Sequence, residues 1–174
     1  MEYEFTLKFR LPAEAAEADE LLERLGEAGC DDALVGVGRP GRIALDFTRE
    51  AGSALAAISS AMGDARRAIP GAQLVEAGPD LVGLTEVAEI VGISRQAMRK
   101  FMLSNPDDFP APVHEGSGVL WHLSDLMHWF KERQPGRYDP NVHEVSKAAM
   151  LLNLARELRQ LEGGLTGELQ ALLA

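Results

Sequence analysis

Arg95, Arg99 and Lys100 fall within six positions of one another, with Gln96 among them, in a chain whose formal net charge is −10. Guanidinium, ammonium and amide groups are the donors that bind base edges and phosphates. A cluster of them in an acidic chain marks a local place where nucleic acid can be held. The residues just before the cluster, Leu84-Thr85-Glu86-Val87-Ala88-Glu89-Ile90-Val91-Gly92-Ile93-Ser94, have the spacing of a helix and a sharp turn leading into a second helix. Each position has a physical reason. Thr85 is expected to cap the first helix, Ala88 is small enough for two helices to cross closely, and Gly92 takes the positive φ of the turn. Ile93 is expected to bury the turn and Ser94 to cap the second helix. In that helix Ala97, Met98 and Phe101 form the apolar face and Arg95, Gln96, Arg99 and Lys100 the outward one.

Beyond it, Asp108-Phe109-Pro110-Ala111-Pro112-Val113 reads as a loop and His114 to Trp121 as a hairpin with its tip at Gly116-Ser117-Gly118. Ser124 is then expected to cap a helix that returns Leu126, Trp129 and Phe130 to a core. The run from Leu84 to Arg133 resembles the winged helix-turn-helix of AlpA-type phage regulators and excisionases, part of the broader MerR-like group. The resemblance rests on the Thr-Glu-Val-Ala-Glu-x-x-Gly-Ile-Ser start, Phe-Pro-x-Pro at 109–112, the glycine wing, and the ending from Trp121 to Trp129. It implies double-stranded DNA as the partner. Arg95, Gln96 and Arg99 would enter the major groove, Lys100 and the wing tip near Ser117 would hold the backbone, and His114 would touch phosphate.

Other chemistries find little support. The histidines, at 114, 122, 128 and 143, have neither i, i+4 nor cysteine-supported spacing, so no metal is expected. Cys30 is the single cysteine, which excludes an internal disulfide and suits a reducing cytoplasm. Asp31-Asp32 and Asp107-Asp108 are turn-type acidic pairs, and no glycine-rich phosphate loop occurs. Neither an enzyme nor a cofactor is expected. Trp121 and Trp129 belong to packing.

Elements must position these groups. In residues 1–10, Tyr3, Phe5, Leu7 and Phe9 alternate with polar residues, the period of a strand with one buried face. A helix is expected from about Ala13 to Ala28, carrying Ala18, Leu21, Leu22, Leu25 and Ala28, with Gly29 as its stop. Ala33, Val35 and Val37 should pair with Ile43, Leu45 and Phe47 across Gly38-Arg39-Pro40-Gly41. A second helix over Ala51 to Ile69 is expected to bury Ala54, Leu55, Ile58, Met62, Ala65 and Ile69, and a fourth strand to run from Ala72 to Ala77. Strand, helix, strand, strand, helix, strand in this order resembles the ferredoxin-like, split β-α-β fold, which hosts many functions.

The fold class expected is therefore α+β. A ferredoxin-like part at 1–79 is followed by a winged helix-turn-helix at 80–137 and a helical, dimerising segment at 138–174. That segment carries Val145, Ala148, Ala149, Leu152, Ala155, Leu158 and Leu161 at mostly three- and four-residue steps, widened by Leu151 and Leu154, then a short helix from Leu165 to Leu173. Such a stripe must pack on its own chain or on a second copy. Residues 1–80 hold 8 basic and 15 acidic groups, against 6 and 7 in residues 81–137, so the first part opposes DNA and membrane surfaces. The acidic amino terminus lacks a basic leader, and the apolar stretch from Ala51 to Gly63 is too short to cross a bilayer. The function expected is a cytoplasmic, homodimeric transcriptional regulator, in the simplest case a repressor. Two alternatives stay open. One is an antitoxin-like or phage-defence module that grips a basic protein with its acidic sheet and autoregulates through DNA; the other is a small-molecule sensor.

Overall fold

Alternation from Glu2 to Arg10 forms strand β1, whose Tyr3, Phe5, Leu7 and Phe9 are all buried. The computed structural model describes residues 1–160 except Ala16 and Val37. Helix α1 (Ala18–Glu27), strands β2 (Ala33–Gly36) and β3 (Arg42–Glu50), helix α2 (Ala54–Ala68) and strand β4 (Gln73–Gly78) follow. The strands form one antiparallel sheet in the order β2-β3-β1-β4, with β1 and β3 paired from Glu2↔Glu50 to Arg10↔Arg42. Ala33 and Val35 pair with Phe47 and Leu45 as the pattern predicts, while the expectation for Val37 lies outside the described residues.

Two helical expectations need correction. Helix α1 starts at Ala18 rather than Ala13, because Ala13, Glu14 and Glu17 are exposed and offer no apolar face, while Pro12 opens a turn whose carbonyl accepts from Ala15 N. Helix-forming residues without burial do not hold a helix in water. Leu22 is exposed, and Leu55 is 56% exposed rather than in the core. The buried stripe of α2 is Ala54, Ala57, Ile58, Ala61, Met62, Ala65 and Ala68, and position 55 lies about 100° around the helix from it. The alanines let α2 approach the sheet closely.

Arg49 is the buried tie of this part. Its guanidinium donates to Asp32 (2.7 and 2.9 Å), Asp64 (2.6 Å), Ser60 (3.1 Å) and the Gly29 carbonyl (2.7 Å), joining β3, α2 and the turn after α1. Gly29 ends α1 with φ +94°.

A second core gathers Val82, Val87, Ala88, Met98, Trp121, Leu126, Met127, Trp129 and Phe130. It belongs to β5 (Leu81–Val82), α3 (Leu84–Ile90), α4 (Arg95–Ser104), β6 (His114–Glu115), β7 (Val119–His122) and α5 (Leu123–Arg133), with a small sheet in the order β5-β7-β6. A 3-10 turn, Pro135–Arg137, leads to α6 (Pro140–Gln160), capped by Asp139 Oδ1, which accepts from Asn141 N (2.8 Å) and Val142 N (3.2 Å).

Helix α6 binds the two cores together. Val145, Ala148 and Ala149 join the first core and Leu152 packs against it, so half of the expected stripe is used within the chain; Leu151, Leu154 and Leu158 remain exposed. The stripe residue Leu161 and the helix from Leu165 to Leu173 lie outside the described residues. Asn153 accepts from Ala77 N (2.8 Å) and donates to Ala77 O (2.8 Å), standing in for a neighbouring strand at the edge of β4. Its amide also donates to Asp80 Oδ2 (2.7 Å), and Asp80, only 3% exposed, meets His122 Nδ1 at 2.6 Å and accepts Leu123 N on its carbonyl at 2.7 Å. First sheet, α6 and second sheet are thereby held in one hydrogen-bonded chain. Among the described residues no helix is long and apolar enough to cross a membrane.

Candidate nucleic-acid interface

The first turn of α3 is closed by Glu86, whose Oε2 accepts from Gly83 N at 2.8 Å. Gly83 is the cap residue and Thr85 lies inside the helix, exposed, which corrects the capping role expected of Thr85. The Glu86 carboxylate, three residues after the cap, satisfies the cap residue's own amide, and Thr85, already inside the helix, is not placed to cap it. Gly92 makes the turn with φ +67°, and Ile93 N donates to Ala88 O at 2.9 Å. Ile93 is half-buried against the second core. Ser94 caps α4, its Oγ accepting from Ala97 N at 3.1 Å.

Burial of Met98, with Ala97 and Phe101 half-buried, fixes the rotation of α4 and leaves Arg95, Gln96, Arg99 and Lys100 exposed. Among the described residues none of the three cations meets a carboxylate within 4 Å. The outward face has two rows. Arg95 and Arg99 line a groove between α4 and the β6–β7 hairpin, whereas Gln96 and Lys100 lie outside its walls.

That groove, about 970 Å³, is also lined by Thr85 and Glu86, by Met102 and Leu103, and by Ser117 and Val119 of the hairpin. Its floor is pinned by aromatic packing. Phe109 sits edge-on to Trp121 (6.2 Å) and Trp129 (5.2 Å), and Trp121 Nε1 donates to Pro110 O at 3.0 Å, so the Phe-Pro-x-Pro loop is held against the hairpin. The hairpin tip closes through Gly116 N to Gly118 O at 3.2 Å. His114 is exposed on β6, and a Cβ at Gly116 would lie 2.6 Å from its Nε2. The bare glycine thus lets the imidazole lie over the tip.

Of the site residues expected, Thr85, Arg95, Arg99 and Ser117 share the groove, Ser94 caps the N-terminus of α4, and Gln96, Lys100 and His114 are exposed beside it. Ser124 is corrected: α5 starts at Leu123, and Ser124 is buried in its first turn, donating to Met150 Sδ at 3.3 Å. The sequence reading missed Gly83 as the cap and Glu86 as the acceptor of its amide, although Gly-x-x-Glu before an apolar run signals both, and missed the apolar groove wall at Met102 and Leu103.

Among the described residues no three His, Cys, Asp or Glu side chains lie close enough to hold a metal ion. His128 and His143 come nearest to a histidine pair, with rings 6.4 Å apart, and Tyr138 Oη lies 3.2 Å from His143 Nδ1. Burial, with the charges of His128, Lys131 and Lys147, holds His143 below the usual histidine range. Burial and the Asp64 carboxylate push the Cys30 thiol up to about 11, the opposite of a nucleophile's tuning. Comparison with protein-family models, with curated proteins and with solved structures gives no match.

Proposed function

We propose that the chain is a sequence-specific DNA-binding transcriptional regulator, a repressor acting as a homodimer, in which a ferredoxin-like part carries a winged helix-turn-helix. The observation that carries this reading is the exposed row of Arg95, Gln96, Arg99 and Lys100 on α4, beside a glycine-tipped hairpin, with no carboxylate on its three cations among the described residues. Helix α4 would enter the major groove with Arg95, Gln96 and Arg99, with Arg95 and Gln96 at its start reading base edges, and Lys100 and the tip near Ser117 holding phosphates. The strand order β2-β3-β1-β4 with antiparallel pairing supports the ferredoxin-like description of the first part. A single module offers limited contact area, so two copies reading two half-sites supply the affinity that repression by occlusion requires. In vivo the reading places the protein in the cytoplasm, with duplex DNA as its partner.

Selection of bound sites from random duplex DNA by the full chain tests this. One enriched motif is expected, with enrichment lost in Arg99→Ala at a melting temperature like that of the unsubstituted chain. Recovery of random sequence by the folded chain at about 50 mM salt, where counterion release favours binding most, would remove DNA reading as the function.

A further inference from the structure

The exposed face of the first sheet ends in a cleft of about 870 Å³, walled by β1, β2, β3, the end of α3 and the start of α6. Glu2, Glu4, Asp31, Asp32, Asp46 and Asp139 line it, and among the described residues no Lys, Arg or His does. Three of these carboxylates already have work: Asp32 binds Arg49, Asp46 accepts Thr6 Oγ1 at 2.6 Å, and Asp139 caps α6. Glu2, Glu4 and Asp31 make no side-chain hydrogen bond or ion pair among the described residues. Two apolar residues stand in the same cleft, Leu34 at 78% exposed and Ile90 at 39%. Carboxylates around exposed aliphatic carbon suit long basic side chains, whose stems lie on the apolar surface while their heads pair with the acids.

The chain itself carries such a group. Arg95, Arg99 and Lys100 project from α4 without carboxylate partners among the described residues, and the same helix exposes Leu103 at 62%. Among the described residues none that lines the cleft lines the α4 groove, so one molecule can offer both surfaces at once. We propose that the acidic cleft of one copy docks the basic face of α4 of a second copy, a head-to-tail contact between unlike surfaces. Such a contact joins unlike surfaces, so it closes into a ring or extends as an open chain according to the rotation between copies, and in either case the average mass rises with concentration. Exposed ion pairs are individually weak, so the contact forms reversibly at high micromolar concentration. It hides α4; on the DNA-binding reading, and resting on that reading in this respect only, free copies would store their reading helices in one another.

Analytical ultracentrifugation of the full chain without DNA tests the contact apart from DNA binding. Between about 10 and 300 µM in about 50 mM salt, where the Debye length has fallen to roughly 14 Å and the net charges of whole molecules are largely screened, the average mass should rise with concentration. It should fall again at about 500 mM salt. Arg99→Glu with Lys100→Glu should abolish the rise, as should Glu4→Lys with Asp31→Lys, all at exposed positions. Mixing the two variants should restore association, because each then meets a surface of opposite sign, whereas Leu154→Lys on α6 should leave the salt-dependent rise unchanged. Circular dichroism melts confirm that each variant is folded, and Glu4→Gln with Asp31→Asn repeats the cleft test without reversal. A mass independent of concentration in the unsubstituted chain, a rise that survives the α4 substitutions, or variants that stay apart on mixing would each overturn the proposal; the first would leave the cleft to a basic partner of another kind.

Discussion

Gln96 and Lys100 share a row on α4, one turn apart, yet their chemistry assigns them different tasks. A glutamine amide can pair bidentately with an adenine edge, whereas an ammonium is a point charge suited to phosphate. Gln96→Ala is therefore expected to relax selection at one base pair by roughly 1–3 kcal/mol, and Lys100→Ala to weaken all duplexes alike while reducing the salt slope by about one. Site selection and salt titration with both variants check this; a changed motif in Lys100→Ala with an unchanged one in Gln96→Ala would reverse the orientation assigned to α4. His143 supports a prediction about pH. Its native pKa lies below the unfolded value of about 6.5, so the unfolded chain binds the proton more readily and the stability it contributes is lost as pH falls through that region. The melting temperature should drop between about pH 7 and pH 5, and the drop should be shallower in His143→Gln.

At the scale of elements, two turn and edge devices decide whether the parts hold their places. Gly92 at φ +67° has no non-hydrogen atom near a hypothetical Cβ, so Gly92→Ala meets only backbone strain, about 1–2 kcal/mol, read as a lower denaturation midpoint with an unchanged slope. Asn153→Ala strips partners from Ala77 N, Ala77 O and Asp80 at once, and burial leaves those groups without water; about 2–4 kcal/mol of stability should go, measured by urea titration. What the sequence made legible follows the same division. Period-two alternation in β1 and β3, Gly92, Ser94 and the outward row of α4 are local signals and were readable. Strand β5, only two residues long, exists because Val82 finds Trp121, 39 residues away. Leu55 and the start of α1 were misjudged because composition favours a helix there, while only tertiary contact says which side and which turn is covered. The acidic cleft was legible as charge but not as a place, since its carboxylates come from strands, a turn and the start of α6 that meet only in the fold.

For the whole molecule, electrostatics sets how DNA binding should depend on salt. With a net charge of −10 and few basic residues at the proposed interface, each module can neutralise only a few phosphates. The logarithm of the binding constant should therefore fall with the logarithm of salt with a slope of roughly −2 to −4 per module, well short of that of a broadly basic binder. Fluorescence anisotropy on a selected duplex gives the summed slope of the two modules, roughly −4 to −8, and a value near −16 would mean that cations outside α4 touch the backbone.

The amide of Asn153 occupies both backbone groups of Ala77, and α6 lies along β4. One border of the first sheet is thereby denied to any incoming strand, while β2 pairs on one side only among the described residues and ends the sheet after four residues with Leu34 outward. An uncovered strand is a template for fibrous growth, and a very short one is a poor template. Helix α6 then acts as a guard against polymerisation: loosening it, as Asn153→Ala does, should free a six-residue template at β4 and shorten the lag before thioflavin-positive aggregates form on mild heating.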